Sequence, residues 1–73
     1  MNKKLTAIIE RQEEGFVALC PELDIASQGD TIEEAKKNLQ EALELFFETA
    51  SSAEIKNRLH EEIYVTQVEV AVG

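Results

Sequence analysis

Asp24, Asp30, Glu33 and Glu34 crowd the middle of this chain, and four carboxylates so close in sequence raise the question of a divalent metal and phosphoryl chemistry. Such chemistry needs several carboxylates converging from different elements. Three of these acids instead share the run Gly29-Asp30-Thr31-Ile32-Glu33-Glu34, where helix capping explains them, and no acid lies mid-way along the first β-rich run. His60, the only histidine, precedes Glu61 and Glu62, and a His–acid pair can move protons. One histidine in a loop ahead of a strand reads better as plain surface. Cys20 has no neighbouring His or Lys in sequence to lower its pKa, so a small buried apolar role suits it better than a nucleophile. These residues predict a protein that is not an enzyme and needs no metal or cofactor.

The bulk properties agree with that reading. Seventy-three residues make one domain with little room for a substrate cleft. A chain of this length buries only about 60% of the surface its unfolded form exposes, so self-association or a partner is a natural source of extra stability. Fifteen acidic against seven basic residues give a net charge of −8 at pH 7. This balance disfavours nucleic acid and anionic membranes, because nucleic-acid affinity comes largely from Lys and Arg displacing counterions. It suits a basic protein partner, or solubility alone. A single cysteine excludes an internal disulfide. The apolar run after Lys3-Lys4 ends at Glu10-Arg11, too early for a signal peptide, and no segment reaches the roughly 20 apolar residues of a membrane helix. A cytoplasmic location is expected.

The elements that must position these residues follow from local pattern. Leu5-Thr6-Ala7-Ile8-Ile9-Glu10 and Phe16-Val17-Ala18-Leu19-Cys20 are β-rich and are separated by a polar, Gly-closed segment, which predicts a hairpin. Both faces carry apolar groups, so the second face either meets another subunit, the preferred reading, or exposes a few aliphatics. Pro21 stops the second strand. Residues 23–28 predict a short third strand closed by Gly29, where a positive φ is expected, as it is at Gly15. A helix follows over residues 32–50, with Thr31 and Glu34, or Asp30 and Glu33, as the capping box. Ile32, Ala35, Leu39, Ala42, Leu43, Phe46 and Ala50 form its apolar stripe. Ser51 with Glu54 starts a second short helix over about residues 53–59. Residues 63–72 alternate with period two and predict a closing strand, parallel to the first through a right-handed crossover. The expected fold class is α+β, a small single domain of β-β-β-α-β order, with a mixed sheet and helices on one face.

Gly15-Phe16-Val17-Ala18, Cys20-Pro21-Glu22-Leu23, Ser27-Gln28-Gly29-Asp30-Thr31, Glu33-Glu34-Ala35, Asn38-Leu39 and Glu41-Ala42 together resemble the signature of the HicB-like (UPF0150-like) antitoxins. The likeness covers about residues 5–47 and, more loosely, the closing strand. It implies a partial ribonuclease-H-like fold without nuclease activity, and a partner: a small basic HicA-type toxin that cleaves mRNA. The antitoxin would cover the toxin's RNA-binding and catalytic surface, with carboxylates in the Lys and Arg sites that phosphates would occupy. Asp24-Ile25-Ala26 departs from the loop that many members carry after the Pro-acid-Leu turn. The DNA-binding module that family members commonly add at the C-terminus is not found before Gly73, so autorepression without help is not expected.

On this reading the toxin interface is expected at Glu22, Asp24, Glu41, Glu44 and Glu48, while Gly29, Asp30, Thr31, Glu33 and Glu34 build the start of the helix. The bland reading of the acidic helix face is a solvated surface. The alternatives in function are an orphan HicB-like binding or sensor domain without a toxin and, more weakly, a degenerate ribonuclease-H-like hydrolase. A homodimer formed through the sheet is the expected assembly.

Overall fold

In a computed structural model, which describes residues 2–73, the elements follow the order β1 (Ile8–Gln12), β2 (Gly15–Cys20), β3 (Ile25–Gly29), α1 (Ile32–Thr49) and α2 (Ser52–Arg58). The three strands form an antiparallel meander, β1-β2-β3, with Ile9 opposite Ala18 and Ala18 opposite Ser27. The fold is α+β, with helix on one face of one sheet. Side-chain alternation decides which face. Ala18 and Cys20 point inward and are fully buried with Leu23, Ala35 and Leu39. Leu5, Ile9, Phe16, Ile25, Leu43, Phe46, Phe47 and Leu59 pack half-buried around them. The opposite face shows Val17 and Leu19 half-buried, Ile8 40% exposed and Ala26 exposed.

Helix α1 begins where its chemistry says it should. Thr31 is the N-cap, its hydroxyl accepting from the Glu34 N–H at 3.0 Å. Glu34 reaches back one residue beyond the usual box and accepts from the Asp30 N–H at 2.9 Å. The Thr31–Glu34 alternative is thus the one realised. Ser51 caps α2 in the same way, accepting from the Glu54 N–H at 3.1 Å. Ala35 and Leu39 of the apolar stripe reach the core, Leu45 stands 59% exposed beside it, and Ile32 at the first turn is 47% exposed.

Three expectations are corrected. Residues 63–72 form no strand, and the sheet is purely antiparallel instead of mixed. Strand pairing needs an edge within reach, and this segment leaves the body without meeting one: Tyr64, Val68 and Val72 are 82%, 82% and 87% exposed. The order is therefore β-β-β-α-α. Second, neither Gly29 nor Gly15 has a positive φ; Glu13 (φ 53°) and Asp24 (φ 55°) take the left-handed conformations. Glycine is needed at position 29 for clearance, since a Cβ there would lie 2.5 Å from the Ala35 nitrogen. Third, β1 starts three residues later than Leu5. The preceding segment is held by a side chain instead of a ladder, through the Thr6 N–H described below.

Candidate protein-binding surface

The Cys20–Asp24 turn brings Glu22 inward, and this overturns its expected place in an interface. Its carboxylate is 7% exposed and accepts the Thr6 N–H at 3.1 and 3.0 Å, the Thr6 hydroxyl at 2.7 Å and the Cys20 thiol at 3.4 Å. Burial by itself would raise the pKa of this carboxyl. Bonds from the Thr6 side chain, its own backbone N–H, the Thr6 backbone and Cys20 outweigh that and hold it below the usual glutamate value. The Cys20 thiol is pushed up, first by burial and then by the bond to Glu22 and that residue's charge, against the opposing Leu23 N–H. The protonated thiol that results is poorly nucleophilic.

Two more residues converge on this turn. The His60 N–H donates to the Glu22 carbonyl at 2.8 Å, and Arg58 Nη2 donates to the Leu23 carbonyl at 3.0 Å. Arg58 also stacks 5.0 Å over the Phe46 ring. Glu22 is thus a structural clasp between the chain's two flanks. The sequence offered no direct sign of it, because an acid after a proline in a turn normally faces water.

Asp24 stays exposed at the tip of the turn, where a short polar side chain tolerates the left-handed backbone. Asp30, Thr31, Glu33 and Glu34 are exposed as well, and two of them are held in the cap, Thr31 and Glu34. Among the described residues no group of three His, Cys, Asp or Glu side chains stands close enough to hold a metal ion.

The remaining expected residues do come together. Glu41, Glu44 and Glu48 are exposed on α1, at spacings of three and four residues that place them along one side of the helix within about 11 Å. Leu45, 59% exposed, lies four residues after Glu41 and three before Glu48, so an apolar side chain borders the stripe of carboxylates. Among the described residues, only Gln40 hydrogen-bonds into the cluster, at 3.4 Å from Glu44. The arrangement opposes helix stability. Glu44 and Glu48 repel at i,i+4, and the last turn, where the helix dipole favours a cation, holds no base.

Relatives are recognisable along most of the chain. A UPF0150 protein of Helicobacter pylori is 32% identical over 68 residues, which span 92% of this chain and 94% of the relative. The chain belongs to the UPF0150 family. Two UPF0150 proteins of Synechocystis agree, one 52% identical over 50 residues (66% of this chain, 69% of the relative) and the other 46% identical over 46 residues (60% and 58%). No protein-family model matches the chain. No solved structure matches it. In this UPF0150 protein no helix among the described residues is long and apolar enough to cross a membrane.

Proposed function

We propose that this UPF0150 protein is a non-enzymatic binding domain of the HicB-like antitoxin kind, which neutralises a small basic HicA-type ribonuclease by covering its RNA-binding and catalytic surface. The observation that carries the reading is the Glu41–Glu44–Glu48 stripe beside exposed Leu45, kept at a cost to the helix that bears it. Local rules broken without a structural gain are expected at functional sites. An exposed apolar anchor bordered by like charges matches part of the anatomy of an interface, an apolar centre meeting a polar rim. The carboxylates would meet Lys and Arg groups that otherwise bind RNA phosphates. The acidic net charge of −8 would speed the encounter.

The test is a pull-down of the tagged protein from its native cells, followed by co-expression of any small basic protein recovered. The expected result is a stoichiometric partner whose growth toxicity disappears on co-expression. Replacing Glu41, Glu44 and Glu48 together by Lys should weaken that complex about 100-fold, from three exposed pairs at about 1 kcal/mol each. An unaffected complex would move the interface elsewhere. Recovery of no basic partner would leave an orphan binding domain.

A further inference from the structure

Residues 63–72 combine a strand pattern with complete lack of pairing. Tyr64, Thr66, Val68, Val70 and Val72 fall on one face of an extended chain, and Ile63, Val65, Gln67, Glu69 and Ala71 on the other. Five of the large apolar side chains most exposed in the described residues, Tyr64, Val65, Val68, Val70 and Val72, belong to this segment. Its weight in the whole surface is large. The chain exposes 6196 Å², whereas a folded monomer of its 8.2 kDa mass should expose about 4,500 Å². The excess of about 1,700 Å² per copy, about 3,400 Å² for two copies, is within the range of about 2,000–5,000 Å² that obligate homodimers bury in total.

The body has two sheet edges, and β1 is the more open one. β3 is partly occupied, since Asn38 Nδ2 of α1 donates to the Gln28 carbonyl at 2.8 Å, and α1 packs mainly over β3. Among the described residues the β1 backbone makes no hydrogen bond outside its ladder with β2. Next to β1 the helix-covered layer is also incomplete, with Ile9, Phe46 and Phe47 only half-buried. A strand added to β1 would supply valines on that side. Its Gln67 and Glu69 would lie on the open side with Glu10 and Gln28.

The root of the segment decides whose edge it meets. Leu59 caps α2, the His60 N–H is fixed to Glu22, and Lys3 Nζ pairs with Glu61 at 2.6 Å. From Leu59 to Val72 there is no Gly, Pro, Asn, Asp or Ser to reverse the chain. A pinned root and a hinge without turn residues favour exchange between copies over folding back. We propose that residues 63–72 form an arm that pairs as a fourth strand with the β1 edge of a second copy, reciprocally, giving an arm-exchanged homodimer. This assembly differs from a dimer made by stacking the open sheet faces, and it stands independently of the toxin reading.

The test uses the full chain alone. Its solution mass should be twice 8.2 kDa. A dimer mixed from separately isotope-labelled copies should give intermolecular nuclear Overhauser contacts between the Val68–Val70 side chains and Ile9. The amides of β1 should be protected from hydrogen exchange. Val68→Glu with Val70→Glu should halve the mass and deprotect β1, while the circular dichroism of helix and sheet is retained. A monomer, with the arm either free or folded onto its own β1, would overturn the proposal. So would a dimer whose arm amides exchange freely.

Discussion

Single side chains decide more here than the composition suggests, and Glu22 decides the most. Its carboxyl is held below the ordinary glutamate value, so protons bind the unfolded chain more readily than the folded one. The stabilisation is therefore complete above the unfolded value of 4.5 and is lost as pH falls through the lower, folded value. Denaturation curves taken across that range should show stability falling with acid, and Glu22→Gln should flatten the acid limb. The same substitution should cost about 2 kcal/mol at neutral pH, because Thr6 loses a charged acceptor. Gly29→Ala should destabilise by about 1–3 kcal/mol, since the added Cβ meets the backbone of Glu34 and Ala35 at under 3 Å. Cys20 should react with a disulfide reagent only as fast as the protein opens, because its thiol is buried and held protonated. At this scale the sequence was read well where chemistry is local: Cys20 as a buried small residue and Thr31 with Glu34 as a cap. Glu22 was misplaced because its partners, Thr6 and Cys20, meet it only through the tertiary fold.

Helix α1 is the element where stability and proposed function pull apart. Glu48→Lys puts a cation in the last turn and removes a like-charge neighbour of Glu44, so thermal unfolding should show a gain of about 0.5 kcal/mol. If the acidic cluster serves a basic partner, the same change should weaken that complex, and the two effects of opposite sign form a signature that a merely solvated face would lack. The limits of α1 and α2 were legible nearly to the residue, since caps and a 3.6-residue stripe are written in neighbouring positions. Strand register was less so. The hairpin was expected from about Leu5, and the ladder begins at Ile8, because the hydrogen bonds of the preceding stretch go to Glu22 instead. The left-handed turn positions fell on Glu13 and Asp24, residues that a rule favouring glycine does not select. The acidic stripe of Glu41, Glu44 and Glu48 was visible from spacing alone. Leu45, off the apolar stripe and at the edge of the acidic one, is picked out by its exposure in the fold.

At the scale of the molecule, the body is small and the outline long, 48 × 28 × 18 Å, with a radius of gyration of 14.3 Å where about 11 Å is usual for this length. The projecting arm accounts for the difference, and the parallel fourth strand expected from pattern is the one element the single chain does not complete. Periodicity reports that a segment can pair; it does not report with whom. If two copies complete the sheet together, folding and association are linked. The unfolding temperature should then fall by about 3–5 °C for each tenfold dilution, whereas a free monomer would show no such dependence.

The contact between His60 and Glu22 also orders events in time. Hairpins and helices close between neighbours, but this bond closes a loop of 38 residues, at an entropy cost of about 3 kcal/mol before any return. The meander and α1 can assemble first, with the Thr6 and His60 flanks latching onto the turn afterwards. Reversed, the latch is the first part to fray. In hydrogen exchange the Thr6 and His60 amides should open well before those of β2, so the root of the arm is also the point from which the molecule comes undone.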